Sequence, residues 1–233
     1  MLSGLTGLLA GYISGTVLAL ILDRLYTGAS LRGPLRLCEN DACSLHAWAG
    51  TVGFLLTRGR CPAGDLLPPR LCFLPLLGAG AGMIIARRAS DGRHAALIAA
   101  FTLVLLALLA TDLERRVLPN RLMVPALVLA VLLSWAWPDR SALDSVAGGV
   151  VGLAIMGTIY TILPGFGLGD VKLAALLGLV TGGSDAVPAM LVAMLAGGIG
   201  GGALLVLQRA VPQSTMAYGP YLALGAFVGM VWL

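Results

Sequence analysis

The sequence predicts an all-α protein that crosses a membrane about eight times. Of its 233 residues, 58% are hydrophobic and only 11% are charged, and the mean hydropathy is +0.94. A soluble domain usually carries roughly 25% charged residues. Apolar runs close to the length of a bilayer-crossing helix, about 20 residues, make up most of the chain. We therefore expect an integral membrane protein in contact with membrane lipids, and no nucleic-acid partner.

Eight segments are predicted to span the membrane, although the sixth is short and flanked by glycines. They are residues 3–22, 71–87, 94–111, 121–137, 143–163, 171–184, 186–208 and 217–233. Between the first two lies a more polar stretch. The predicted organisation is a first transmembrane helix (1–22), a small cytoplasmic loop domain (23–70) and a seven-helix membrane core (71–233).

The basic residues predict the orientation of these spans. Eleven of the 15 Lys and Arg residues lie in loops after odd-numbered spans, and four lie after even-numbered ones. Cytoplasmic loops of membrane proteins are enriched in Lys and Arg. The odd-numbered loops are therefore predicted to face the cytoplasm of a bacterial inner membrane. The cluster "ARRASDGR" at 86–93 runs against this orientation.

Two aspartates are expected at the same membrane face. Asp112 ends the third predicted span, and Asp170 follows the glycine-rich break after the fifth. Two carboxylates that come close repel each other, so the pair holds one proton near neutral pH. The ionised member can then take a proton from water while the protonated member polarises a peptide carbonyl. This pattern indicates an aspartic protease that needs no cofactor for proteolysis.

Other interpretations of the aspartates stay open at this point. One alternative is that Asp112 is a solvated loop residue or an ion-pair partner of Arg115 or Arg116. Asp170 suits a cap for the helix that begins beside it. A small ion-coupled transporter also uses buried acids next to broken helices. Such transporters often have two related halves, and none is visible in this sequence.

Several ordered motifs resemble one family, the type IV prepilin peptidases. "GFGLGDVKL" (165–173) resembles the family's Gly-x-Gly-Asp signature, and "TDLERRVLPNRLMVP" (111–125) resembles its first aspartate segment. "MAYGPYLALGA" (216–226) is similar to its Gly-Pro segment. "GYISGTVLALILDRL" (11–25) and "LLTRGRC" (55–61) resemble its first span and cytoplasmic loop. The resemblance thus covers nearly the whole chain.

The resemblance implies eight spans and a cytoplasmic active site in which Asp112 and Asp170 are the catalytic pair. It implies prepilin or pseudopilin substrates, whose short basic leader is cut after a glycine that precedes a long apolar helix. A preflagellin-like or presenilin-like client is the alternative within the same chemistry. Many members also methylate the new N-terminus with S-adenosylmethionine, so this cofactor is a further expectation.

Residues around the motifs are candidates for substrate binding. Gly167 and Gly169 are expected to let the backbone approach an extended substrate and adopt conformations closed to other residues. Gly219 and Pro220 are expected to shape a break near the site. Lys172 either favours a negative charge near the aspartates or extends its amine to the lipid headgroups.

The cysteines depart from the family's two Cys-x-x-Cys pairs. Cys38 and Cys43 are five residues apart, Cys61 has Gly64 in place of a partner, and Cys72 begins the second span. A disulfide is not expected in a reducing cytoplasm. One interpretation is a structural zinc site formed by Cys38, Cys43, Cys61 and either Cys72 or His46, because four such ligands suit tetrahedral zinc. The other is that these are plain thiols.

Overall fold

The fold is described by a computed structural model that covers residues 2–27, 50–60, 67–163, 165–207 and 217–233. Within these ranges the regular structure is helical, which confirms the predicted all-α membrane fold class. The α-helices are α1 (Leu2–Thr27), α2 (Gly50–Leu56), α3 (Arg70–Arg88), α4 (Gly92–Arg115), α5 (Asn120–Leu132), α6 (Ala142–Ile162), α7 (Leu168–Thr181), α8 (Gly183–Val206) and α9 (Gly219–Trp232).

A helix occupies each of the predicted spans, but their lengths differ. Among the described residues, five helices are long and apolar enough to cross a membrane, namely α1, α3, α4, α6 and α8. Helix α5 has 13 residues, and α7 and α9 have 14 each. At 1.5 Å per residue each is only about 20 Å long, less than the roughly 30 Å of a hydrocarbon core. The count of eight spans therefore stays a prediction.

Several helix ends differ from the sequence expectation, most clearly those of α1 and α5. Helix α1 continues to Thr27 instead of ending at residue 22. Helix α5 ends at Leu132, and a short 3-10 turn at Ser134–Ala136 follows it, so the apolar run that was expected to reach residue 137 is not one continuous helix. An apolar composition predicts that a segment is buried more reliably than it predicts the residue at which the helix ends.

The chain divides into two compact units, Met1–Ala89 and Ser90–Leu233. In the first unit, α1 packs along α3, and α2 packs against α3. The α1–α3 contact is made by glycines: a side chain on Gly11 would overlap the carbonyl oxygen of Gly78. Small residues let helix backbones touch where lipid offers no hydrophobic drive for association.

Helix α7 is the central helix of the second unit. It packs against α5, α6, α8 and α9, and every residue from Leu173 to Thr181 is buried. Its contact with α6 is again backbone to backbone, because a side chain on Gly178 would overlap the carbonyl oxygen of Gly148. A helix that is apolar on all sides belongs inside a bundle. The first turn of α7, which carries Asp170, is thereby fixed relative to the helices around it.

Candidate active site

Asp112 lies in the last turn of α4, the longest helix of the second unit together with α8. The helix stops just beyond it, because Arg116 adopts a left-handed conformation (φ 53°) and its N–H bonds to the Asp112 carbonyl oxygen at 2.8 Å. The Asp112 side chain is buried, with the residue 6% exposed. Its Oδ2 atom accepts a hydrogen bond of 2.8 Å from the Gly219 backbone N–H, at the start of α9.

Asp170 lies in the first turn of α7 and is half-buried. Gly167, the residue before the helix, has no side chain with which to cap it. Instead the Asp170 carboxylate reaches back, and its Oδ2 atom accepts a 2.9 Å hydrogen bond from the Gly167 N–H. An acidic side chain in the first helical turn also interacts favourably with the helix dipole. The helix begins at Leu168, two residues before Asp170, so Asp170 is not the residue that precedes the helix, as considered from the sequence; it caps the helix from the third helical position, and this bond fixes where the carboxylate points.

The two carboxylates lie on helices that share a neighbour. Helix α9, which supplies the N–H donor to Asp112, packs against both α4 and α7, and Tyr218 just before α9 contacts Phe166 in the segment that leads to Asp170. Each carboxylate is held through its Oδ2 atom by a glycine N–H. A buried acid beside a second acid, both with fixed orientation, is suited to sharing a proton and binding a water molecule.

Gly219 is the glycine whose size matters most at this site. A Cβ atom added there would lie 2.7 Å from Asp112 Oδ2 and 3.0 Å from its Cγ, too close for the carboxylate to remain in place. Pro220, next in the chain, occupies the first turn of α9, where its missing N–H leaves no helical bond unmade. The Gly-Pro pair thus begins α9 directly against the Asp112 carboxylate.

The two glycines of the signature contribute less backbone freedom than expected. Gly167 has φ −103°, which other residues adopt readily, and the nearest atom to an added Cβ there is Asp170 Oδ2 at 3.7 Å. Gly169 is limited by space, since its Cβ would lie 3.1 Å from the Leu118 side chain. The residue of this loop with a left-handed backbone is Gly165, at φ 114°.

Lys172 contacts a partner that the sequence did not identify. Its Nζ atom donates a 2.8 Å hydrogen bond to Oδ1 of Asn120, the first residue of α5. Asn120 follows Asp112 closely in the chain, and Lys172 follows Asp170 by two residues. The bond therefore connects the two segments that carry the carboxylates. The only sequence signal was the position of Asn120 after the proline of the first aspartate segment.

The sequence also did not predict the aromatic side chains of the site. The Phe166 ring meets the Tyr218 ring edge to face, with centroids 5.0 Å apart, and Tyr218 also contacts Tyr221 at 6.0 Å. From the sequence, only the adjacency of Phe166 to Gly167 and of Tyr218 to Gly219 pointed to them.

The expected metal ligands lie mostly outside the described residues. This is true of Cys38, Cys43, Cys61 and His46. Cys72 is described, as a free thiol in α3 that is partly exposed. In the part of the chain that the structure describes, no three His, Cys, Asp or Glu residues are grouped as a metal site would require. Because most of the proposed ligands lie outside the described residues, the zinc site stays a prediction.

Known proteins of one description are similar to the part of the chain that carries the candidate site. The sequence profile of the type IV leader peptidase family matches residues 99–202, which include both aspartates. A prepilin leader peptidase/N-methyltransferase from Pseudomonas putida is 29% identical over 209 residues, 85% of this chain and 72% of the relative. One with the same description from Escherichia coli K12 is 31% identical over 134 residues, 55% of this chain and 59% of the relative. No solved structure matches the chain.

Proposed function

We propose that the chain is a member of the type IV leader peptidase family, whose sequence profile matches residues 99–202, and that it is a membrane aspartic endopeptidase that removes the leader of type IV prepilins or pseudopilins. Asp112 and Asp170 are its catalytic residues. The observation that carries this assignment is that each of the two carboxylates is held by a glycine N–H, where α9 packs against the helices that carry both of them, and that both lie inside the region that matches the family profile.

The proposed mechanism uses one water molecule and one shared proton. The ionised carboxylate takes a proton from the water, and the water oxygen attacks the carbonyl carbon of the scissile peptide bond. The protonated carboxyl donates a hydrogen bond to the carbonyl oxygen and stabilises the charge that develops there. The C–N bond then breaks, and the leaving nitrogen receives a proton from the pair. The Gly167 and Gly219 N–H groups keep the Oδ2 atoms oriented throughout, which leaves the Oδ1 atoms for water and substrate.

The membrane position of the pair suits a substrate with a polar leader and an apolar helix. The chain is a multi-pass membrane protein, and its relatives are bacterial. The excess of Arg in the odd-numbered loops supports a site that faces the cytoplasm. The basic leader then stays in the cytoplasm while the substrate helix lies in the bilayer, so the cut falls at the membrane edge. Of the five proposed substrate-binding residues, Gly167 is exposed, and Gly169, Lys172 and Pro220 are partly exposed.

A second activity appears in the description of the relatives, which includes N-methyltransferase. We propose methylation of the new N-terminus as the accompanying reaction, for which S-adenosylmethionine would supply the methyl group. The loop domain 23–70, with its cysteines, is the proposed place for a structural zinc. No described residue is assigned to either group, and the proposed mechanism covers proteolysis alone. The comparisons do not favour the transporter alternative.

The experiment that tests the proposal is cleavage of a purified prepilin by the purified protein in detergent, followed by mass spectrometry. Asp112→Asn and Asp170→Asn should each abolish cleavage after the leader glycine and leave the helical content unchanged. Asp185→Asn is the matched control, because Asp185 also lies in a first helical turn, that of α8, beyond the far end of α7. Full processing by either dyad variant would refute the proposed catalytic pair.

A further inference from the structure

The two carboxylates are held by the same local arrangement, repeated in two separate parts of the chain. In each case an aromatic residue precedes the glycine whose N–H binds the carboxylate. Phe166 precedes Gly167, which donates to Asp170 at 2.9 Å. Tyr218 precedes Gly219, which donates to Asp112 at 2.8 Å. A displacement of either aromatic residue therefore moves the donor of one carboxylate.

The two aromatic residues contact each other. The ring centroids of Phe166 and Tyr218 are 5.0 Å apart, and the ring planes meet at 85°. This edge-to-face arrangement is a favoured geometry for two aromatic rings. Both side chains are half-buried. We call Phe166 and Tyr218 the aromatic pair; it connects the glycine donor of one carboxylate to the glycine donor of the other.

The Tyr218 side of the pair is held by α8. The Tyr218 ring lies directly against Gly197, where an added Cβ would be 2.6 Å from ring atom Cε2. The neighbouring Tyr221 ring, 6.0 Å away, packs onto Gly200 of the same helix. Two glycines of α8 thus form the surface on which these tyrosines rest. This surface fixes Tyr218, whose ring contacts Phe166.

The position of Phe166 depends more on the ring contact with Tyr218 than the position of Tyr218 does. Phe166 follows Gly165, whose backbone is left-handed at φ 114°, and an added Cβ on Gly165 would meet no atom within 4 Å. The segment before α7 therefore has few packing contacts at its glycines. The ring contact with Tyr218 is the described interaction that ties this segment to α9.

From this arrangement we infer that Phe166 and Tyr218 are positioning residues that set the separation of the two carboxylates. The inference deepens the proposed function and rests on it. A shared proton and a bound water both need the carboxylates within a narrow range of distances. Loosening the aromatic pair should therefore slow the chemical step, and substrate binding should change little.

The test is a double-mutant cycle on prepilin cleavage with Phe166→Ala, Tyr218→Ala and the double variant. Each single variant should lower kcat about 2- to 10-fold, the range that an aromatic pair energy supports, with KM near that of the wild type. The double variant should be no slower than the slower single variant, because the same contact is lost. Phe166→Tyr and Tyr218→Phe keep both rings and should restore most of the rate.

Two matched controls separate the pair from general effects on packing. Gly197→Ala should slow cleavage because its methyl group displaces the Tyr218 ring, whereas Gly198→Ala, with no atom within 4 Å of its Cβ, should not. Phe227→Ala removes another edge-to-face contact, with Trp232 at 6.1 Å, farther along α9, and should leave kcat unchanged. If Phe166→Ala lowers the thermal midpoint markedly, Phe166→Leu replaces it in the cycle.

The outcomes are distinguishable from failure of the proposed function. If both dyad variants are inactive while the aromatic variants keep wild-type kcat, the aromatic inference is overturned and the proposed function stands. Multiplicative effects of the two single variants, or a rise in KM at unchanged kcat, would also overturn it, the latter by indicating a substrate subsite. If the dyad variants cleave normally, the proposed function itself is wrong.

Discussion

The contact between Gly219 and Asp112 gives the sharpest test of how the site is held. In Gly219→Ala the new methyl carbon would lie 2.7 Å from Asp112 Oδ2 and 3.2 Å from its Cβ. The carboxylate must then turn away and lose its 2.8 Å hydrogen bond from the residue 219 N–H. The backbone at 219 is not left-handed, so alanine fits α9 itself and the fold should persist.

The size of the effect follows from the bond that is lost. A hydrogen bond to a charged group contributes about 1.5–3 kcal/mol, and about 1.4 kcal/mol corresponds to a tenfold change. We therefore expect kcat for prepilin cleavage to fall about 10- to 150-fold. KM should change little, because the bond orients Asp112 and does not involve the substrate.

The assay is steady-state cleavage by purified wild-type and variant protein, with initial rates quantified by mass spectrometry at several substrate concentrations. Gly157→Ala in α6 is the control, since an added Cβ there meets no atom within 4 Å, and it should cleave at the wild-type rate. Wild-type kcat in a folded Gly219→Ala protein would refute the reasoning. A raised KM at unchanged kcat would instead assign Gly219 to substrate binding.

Two further changes test the contacts around the site. Lys172→Met should lower the thermal midpoint by about 2–4 °C, because losing the bond to Asn120 costs on the order of 1 kcal/mol, and Asn120→Leu should lower it equally. Gly178→Ala should lower the free energy of unfolding by about 1–3 kcal/mol, because its methyl group forces α7 away from α6; a thermal melt in detergent measures both.

Each of these changes has its own contradicting result. A Lys172→Met protein with an unchanged midpoint and a tenfold higher KM would show that Lys172 contacts substrate rather than Asn120. Lys172→Arg retains a donor and should keep most of the midpoint. Gly178→Ala with wild-type stability would mean that α6 and α7 are not in backbone contact.

The fold class could be predicted from the sequence because its signal is local. A long apolar run must be helical in a bilayer, where each backbone polar group needs a partner within its own segment. Each predicted span accordingly contains most of one helix of the structure, although the ends differ. Helix ends were harder to predict from the sequence, as the end of α5 at Leu132 shows. Side-chain packing and local backbone conformation determine where a helix ends.

The two aspartates could be proposed as a pair on one membrane face from their position after odd-numbered predicted spans, and that placement stays a prediction. The groups that hold the two carboxylates could not be predicted. The donors are the N–H groups of Gly167 and Gly219, and a backbone N–H has no identity in a sequence pattern. The Gly219–Asp112 bond joins residues 107 positions apart, and such a contact exists only once α4, α7 and α9 have packed together.

Cleavage by this mechanism depends most on Asp112 and Asp170 holding one proton between them. The most direct measurement is the pH dependence of kcat/KM for prepilin cleavage by the wild-type protein. We predict a bell-shaped profile, since cleavage requires one member of the pair ionised and the other protonated. A profile that rises or falls through only one pH transition would mean that cleavage proceeds with both carboxyls in the same protonation state. That result would contradict the shared proton.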